Sequence, residues 1–403
     1  MSLSLMPKPN TPTFPSRLPT VGTTVFTVMS NLAAKHHAIN LGQGFPDFDC
    51  DPHLLAAVNQ AMLAGHNQYP PMAGIPVLRQ AIAHKISTLY DAQYDPDTEI
   101  TVTAGATQAI FTTILSCVSP GDEVILIEPA FDCYLPAITL AGGKAVSVSL
   151  EVVRDTAGHV CEYAIPWSAL ADAITPKTRL LVVNSPHNPT GMIWQESDLE
   201  RLAELVVDTP ILICSDEVYE HMVFDGQSHH SISSHPDLAA RSFVVSSFGK
   251  TLHVTGWKIG YVAAPAALTA EFRKVHQFNV FSVNAPMQHG IAQYLKDPAP
   301  YLALPQFYQA KRDYFRAGLA KTGFALLPAP GSYFQCVDYS SLPTPEASLS
   351  ESDFCHWLTT AVGVAAIPVS AFYGSGTDSK VIRFCFAKQE STLAAALTRL
   401  QAL

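Results

Sequence analysis

Between about residues 100 and 265 the chain alternates short apolar, β-branched runs with stretches whose apolar residues recur every three or four positions. The runs fall at 100–103, 123–127, 145–149, 180–184, 211–215, 243–247 and 259–263. Runs of this length and make-up read as strands buried on both faces. Helical patterns stand between several of them, at 196–207 and from Gly105 through Cys117. That alternation predicts an α/β fold built on a doubly wound, mostly parallel sheet. Before it, 23–37 predicts a helix with Val25, Val28, Met29 and Leu32 on one face, and Asp51-Pro52 caps and opens another over 52–64. The intervening 39–48 is a glycine-punctuated loop. After Pro265 come helices near 268–276, 285–295 and 305–321. Strands at 332–338 and 381–387 then mix with helices at 353–362 and 392–400, as in a smaller α/β domain. Prolines at 7, 9, 12, 15 and 19 make 1–20 an extended arm. The expected division is an arm and helix over 1–45 that belong with the smaller domain, a large domain over 46–295, and a small C-terminal domain over 296–403.

Composition narrows the class. The 403 residues are 48% hydrophobic and 14% charged, an ordinary globular balance and not a disordered one. A net charge of −10 argues against nucleic acid or an anionic membrane as the main partner. The eight cysteines show no C-x-x-C pair and no Cys/His ligand spacing, so reduced thiols are expected, with no metal site and no disulfide framework. No basic segment followed by an apolar one opens the sequence, and no apolar run approaches the ~18 residues of a membrane span. A cytoplasmic location is the expectation.

The chemistry concentrates in 246–261. Lys250 follows the apolar run Phe243-Val244-Val245 in a turn of small residues, with few charges nearby. A lysine so placed is readily desolvated, which lowers its pKa and makes it an amine nucleophile toward an aldehyde. Ser247 adds a hydroxyl and Lys258 a second cation. Asp216 closes the run Ile211-Leu-Ile-Cys-Ser215, where a buried carboxylate needs a partner. Arg383 lies inside the apolar run Val381-Ile-Arg-Phe-Cys385, where its planar fork suits the two oxygens of a carboxylate. Gly105, between the run 100–103 and a helix, lets the N–H groups of Ala106 and Thr107 face an anion.

With Asn184-Ser-Pro-His-Asn-Pro-Thr-Gly191 and Ser215-Asp-Glu-Val-Tyr219 standing before the Lys250 stretch, the chain resembles the class I and II aminotransferases, pyridoxal-phosphate enzymes of fold type I, from about Asn40 to its end. The segments 40–49, 128–134, 276–284 and 331–334 are similar to the kynurenine and glutamine transaminase K branch. Ser185-Pro-His-Asn-Pro189 and Ser246-Ser-Phe-Gly-Lys250 look most like bacterial methionine aminotransferases. The resemblance implies that Lys250 carries pyridoxal 5′-phosphate as a Schiff base and shuttles the substrate proton. Asp216 would meet the pyridine nitrogen, and Tyr219 and Asn188 the ring's phenolic oxygen. Asn184 would support that turn or touch the substrate carboxylate. The Gly105–Thr107 loop, Ser247 and Lys258 would hold the phosphate. Many relatives have arginine where Lys258 stands, so this chain offers a point charge there. Tyr69 matches a residue that reaches the phosphate from the other subunit, which implies a homodimer. Phe131 matches an aromatic that stacks on the ring, although by pattern alone it serves equally as core. Arg383, aided by the Gly42 amide, would hold the substrate α-carboxylate.

Near the expected side-chain pocket stand Phe26, Tyr69, Phe278 and Phe281 but no arginine, which disfavours aspartate as donor. Core packing is an even alternative for Phe26 and Phe278. An apolar pocket suits methionine, phenylalanine, kynurenine or glutamine, with a 2-oxo acid as acceptor. A lyase cleaving cysteine S-conjugates on the same scaffold would share every cofactor residue and is the alternative.

Overall fold

The structure, a computed structural model, describes residues 15–403. Most of the proline-rich stretch therefore lies outside the described residues. Within 15–20, Arg17 Nη2 donates to the carbonyl of Leu140 (2.7 Å).

Seven strands make the main sheet: β1 (Ile100–Thr103), β2 (Glu123–Glu128), β3 (Lys144–Ser149), β4 (Thr178–Asn184), β5 (Leu212–Asp216), β6 (Ser242–Ser247) and β7 (Gly260–Ala263). Their spatial order is β1-β7-β6-β5-β4-β2-β3. All neighbours run parallel except β7, which is antiparallel to both β1 and β6. Both faces are covered, which is why the strands read as unbroken apolar runs. Val124, Leu126, Leu180, Val182, Phe243 and Val245 pack on one side, against Ile110 and Ile114. Ile125, Ile127, Leu181, Val183 and Val244 pack on the other, against Leu199, Leu202 and Val206.

The helices that frame the site are α1 (Val25–His36), α2 (Pro52–Leu63), α3 (Pro76–Tyr90), α4 (Ala106–Cys117), α5 (Tyr134–Ala141), α6 (Glu196–Val206), α7 (Ala266–Asn279), α8 (Ala285–Tyr294) and α9 (Leu304–Leu319). Asp51 caps α2 as expected, accepting from the His53 amide. On α1 the expected face is corrected. Val28 is exposed, and Met29 and Ala33 are the buried residues, with Val25, Phe26 and Leu32 packed beside them.

A second sheet of four antiparallel strands follows α9: β8 (Ala325–Leu326), β9 (Phe334–Asp338), β10 (Ile367–Pro368) and β11 (Val381–Cys385), in the order β8-β9-β11-β10. Arg383 stands opposite Cys336 on one side and Ile367 on the other. Near the start of the chain, Ile39–Asn40 pairs in parallel with Val364–Ala365. That pairing brings α1 and the loop after Asn40 to the second sheet. Among the described residues no helix is long and apolar enough to cross a membrane.

Candidate active site

Parallel strands bring their carboxyl ends to one edge of the sheet, and loops leaving that edge build sites. Here β4 and β5 end on Asn184 and Asp216, which are register partners. The strand β6 ends on Ser247, and the single helical turn Phe248–Thr251 carries Lys250 over the same edge. Across from them stand Arg383 of β11 and Phe26 of α1. Together they line one cavity of about 320 Å³.

One end of that cavity is built for an anion. Gly105, Ala106 and Thr107 line it at the N-terminus of α4, where backbone N–H groups have no helical partner. Gly105 has φ 80°, a conformation that favours glycine. A side chain built on it would come within 3.4 Å of Lys258 Nζ, so the cation lies against the loop. Ser247 and Thr255 also line the cavity. Gln108 Oε1 accepts from the Ala104 amide (2.9 Å) and steadies the approach to the helix.

Asp216 stands at the centre, nearly fully buried. Its Oδ2 accepts from the Tyr134 hydroxyl (2.7 Å) and its Oδ1 from the Val218 amide (3.3 Å). Burial pushes its carboxyl up to about 6, against the pull of those two hydrogen bonds. Asn184 spends its side chain locally. Its Nδ2 donates to the carbonyl of Asp216 (2.8 Å) and of Pro186 (3.3 Å), and its Oδ1 accepts from the Asn188 amide (2.8 Å). Of the two roles expected for Asn184, the geometry matches support of the Asn188 turn. Asn188 lines the cavity, and its Oδ1 accepts from Arg383 Nη1.

Lys250 Nζ donates to the Tyr333 hydroxyl (2.8 Å) and to the carbonyl of Gly44 (3.2 Å). Burial pulls the amine down to about 8, and the charges of Arg383 and Lys258 add to that pull. Arg383 is 1% exposed. Its guanidinium lies 3.8 Å from the Phe334 ring centroid, 5.0 Å from that of Phe372 and 5.5 Å from that of Phe26. Its Nη2 donates to the carbonyl of Gly42 (3.2 Å), while its Nε has no partner. Among the described residues none of Lys250, Lys258 and Arg383 belongs to a salt bridge. Three cations around one cavity, with Arg383 buried and Lys250 half-buried, none of them paired with a carboxylate, call for anionic ligands.

Phe131 and Tyr219 line the cavity as well. Four expected residues, Gly42, Tyr69, Phe278 and Phe281, do not. The Gly42 amide donates to Asn40 Oδ1 (3.0 Å) and turns only its carbonyl toward Arg383, so it is not free for a carboxylate. Tyr69, 81% exposed, packs edge-on against the half-exposed Phe281, 5.2 Å between centroids, outside this chain's cavity. Phe278 is exposed too. The sequence reading missed Tyr134 and Tyr333, whose hydroxyls touch Asp216 and Lys250, and Gln43, Gly44, Phe45, Thr255 and Phe334 in the lining. Their segments were visible in the resemblance, but nothing local shows where a tyrosine hydroxyl ends.

Comparison with known proteins agrees with this geometry. Residues 36–400 match the family model described as aminotransferase class I and II. A solved structure from Escherichia coli, reported as identifying a methionine aminotransferase function, is 47% identical with a TM-score of 0.92, covering 97% of this chain and 100% of that one. A probable N-succinyldiaminopimelate aminotransferase of Mycobacterium tuberculosis is 42% identical over 96% of this chain and 98% of its own. Kynurenine–oxoglutarate transaminase 1 of Mus musculus is 36% identical over 92% and 93%. With the model spanning nearly the whole chain and these relatives alike end to end, the chain belongs to the class I and II aminotransferases.

Proposed function

We propose that this protein carries pyridoxal 5′-phosphate on Lys250. It moves the amino group of methionine and other apolar or aromatic amino acids, including kynurenine, phenylalanine and glutamine, to a 2-oxo acid in two half-reactions. The observation that carries the reading is Arg383, a buried guanidinium without a carboxylate partner, set in the same cavity as a depressed lysine amine. The donor set fits the cofactor. A helix N-terminus with Ser247 and Lys258 suits its phosphate, and buried Asp216 suits a protonated ring nitrogen.

When bound, the cofactor supplies an electron sink for the charge left on the substrate α-carbon. The chain's residues do the rest. Asp216, held by the Tyr134 hydroxyl, would keep the proton on the ring nitrogen. Tyr219 and the Asn188 amide donate to the ring oxygen. Phe131 packs on the ring face. Arg383 takes the α-carboxylate through two N–H groups. Lys250, free as an amine, would serve as the base that takes the substrate α-proton and as the acid that returns it.

Charge supports the donor class. Lys250, Lys258 and Arg383 are the cations in the described lining, one each for the aldehyde, the phosphate and one carboxylate. A donor with a second carboxylate, such as aspartate or N-succinyldiaminopimelate, would place it among Phe26, Phe45 and Phe334. The name of the Escherichia coli relative supports methionine.

The same reading makes the active unit a homodimer, since Tyr69 faces outward beside Phe281 and does not line the cavity of its own chain. It also joins the described part of 1–45 to 296–403 as one smaller domain beside 46–295, supported by the pairing of Ile39–Asn40 with Val364–Ala365. Eight free cysteines suit a reducing, cytoplasmic setting.

The test is the visible spectrum of the purified protein with single amino acids and no 2-oxo acid present. Methionine or kynurenine should bleach the band of the bound cofactor, and a 2-oxo acid should restore it. Absence of any such band, or its survival in Lys250→Ala, would refute the cofactor assignment. A persistent band with pyruvate and ammonia released from a cysteine S-conjugate would mean elimination instead of transfer.

A further inference from the structure

Tyr333 enters β9 with no exposed surface. Its hydroxyl accepts from Lys250 Nζ (2.8 Å) and donates to the carbonyl of Gly44. The same carbonyl accepts from Lys250 Nζ (3.2 Å), so amine, hydroxyl and carbonyl close a triangle. The ring has little freedom to leave it. Tyr219 lies edge-on at 5.0 Å and Phe334 at 4.9 Å between centroids, and the Tyr333 carbonyl accepts from the Phe386 amide (3.0 Å).

We propose that Tyr333 is a positioning residue for Lys250: its hydroxyl, fixed by Gly44, gives the amine one resting place whenever it is not bonded to the cofactor. This rests on the reading of Lys250 as the catalytic amine. Direction matters here. The hydroxyl proton points to Gly44, so its oxygen can only accept from Lys250. The neutral amine is then held through an N–H while its lone pair stays open to take a proton. A donor in the same place would occupy that lone pair and compete with the substrate. A lysine side chain also has several rotors to freeze, and a fixed acceptor freezes them as soon as the amine is released. Gln43, Gly44 and Phe45 line the cavity, so the loop that walls the substrate space also anchors the tyrosine.

Tyr308 provides an internal control. It is as buried as Tyr333 and packs 5.9 Å from it between centroids, but its hydroxyl has no partner among the described residues. The experiment compares wild type, Tyr333→Phe and Tyr308→Phe. In the cofactor-free full chain, acetylation of Lys250 by acetic anhydride is followed against pH by peptide mass spectrometry. Tyr333→Phe should lower the midpoint by about half to one pH unit, because the charged amine loses one acceptor. Tyr308→Phe should overlay wild type. In the loaded enzyme, Tyr333→Phe should cut kcat about tenfold or more with KM within twofold. The isotope effect with α-deuterated donor should rise as proton transfer becomes slower.

A Tyr333→Phe protein with the wild-type midpoint and kcat overturns the proposal. So does an equal effect of Tyr308→Phe, which would mean mere packing. If Tyr333→Phe does not fold, 3-fluorotyrosine at position 333, a weaker acceptor of the same shape, should move the midpoint down by a smaller amount, and no shift overturns the proposal. Failure of the underlying reading looks different. Borohydride reduction of the loaded wild type would then mark a lysine other than Lys250, whatever residue stands at 333.

Discussion

Replacing Arg383 by lysine keeps a cation in the cavity and removes the fork, which makes it the sharpest probe of the site. In the protein alone Arg383 holds itself through Nη1 to Asn188, Nη2 to Gly42 and the face of Phe334 at 3.8 Å. An incoming carboxylate meets two N–H groups of one rigid plane, whereas an ammonium offers a single point. Losing one of two charge-assisted hydrogen bonds costs about 1.5–3 kcal/mol, which is roughly ten- to a hundredfold in kcat/KM. The assay compares methionine with methionine amide, which lacks the carboxylate. Arg383→Lys should lose the full factor on the acid and change little on the amide, with the visible band of bound cofactor intact. The pH profile adds a sign. A lysine buried among Phe26, Phe334 and Phe372 has its pKa pulled down by desolvation, so the variant's activity on the acid should fall as pH rises through that value. The arginine enzyme should show no such fall from this group. Equal losses on acid and amide would refute the assignment of Arg383 to the α-carboxylate.

Two further perturbations test the frame around the site. Lys85 Nζ and Glu220 Oε2 meet at 2.7 Å with both side chains 2% exposed. Burial pushes the Glu220 carboxyl up, but Lys85, His221 and Ser246 together draw it well below the usual carboxylate range. Lys85→Met strands that charge and should cost about 3–5 kcal/mol in chemical unfolding. Lys85→Met with Glu220→Leu should recover most of the loss, and a single variant as stable as wild type would remove the pair from the stability argument. Asp216 behaves in the opposite sense. Its folded value of about 6 lies above the ordinary 3.8, so the folded cofactor-free protein holds the proton more tightly than the unfolded chain does. The stability it contributes is present below about pH 4 and is lost as pH rises to about 6. Asp216→Asn should therefore gain on wild type across that window, by up to about 3 kcal/mol, as followed by thermal melts. A difference that does not vary with pH would contradict the buried carboxylate.

The large sheet was legible because six of its seven strands are buried along nearly all their length, and covering both faces of a strand leaves an unbroken apolar run. Other elements were hidden for specific reasons. The helix α3 buries Leu78, Ile82 and Ile86, but Arg79 and Lys85 share that buried surface, so its apolar period is broken. The charges are tolerated only because partners arrive from elsewhere: Asp97 for Arg79, and Glu220 for Lys85. The hairpin of Glu151–Arg154 and Val160–Ala164 is short and largely solvent-facing, so it left no run to read. The antiparallel direction of β7 is a property of its neighbours and leaves no mark in its own four residues. Within the site, Lys250, Asp216 and Arg383 were legible because a charge in an apolar run is costly without a purpose. Tyr134 and Tyr333 were not, since a buried tyrosine is ordinary core until its hydroxyl is seen to end on a carboxylate or an amine. Gly42 is a different case. Whether its amide is free depends on the rotamer of Asn40, two residues away.

The two titrating groups at the heart of the cavity share one physical cause. Burial disfavours charge on either sign of group, so it lifts Asp216 to about 6 and lowers Lys250 to about 8. Each shift destabilises the isolated protein, and each is relieved by a different part of one ligand. In the proposed reading a cationic ring nitrogen would satisfy the carboxylate, and an aldehyde would consume the amine. Burial lowers Arg383 in the same way, and in the proposed reading a substrate carboxylate would relieve it. A molecule that answers several of these groups together stabilises the folded state in proportion to its binding. Stability and catalysis then draw on the same residues. Variants that make the cofactor-free protein more robust, Asp216→Asn foremost, are the ones expected to bind the cofactor worst.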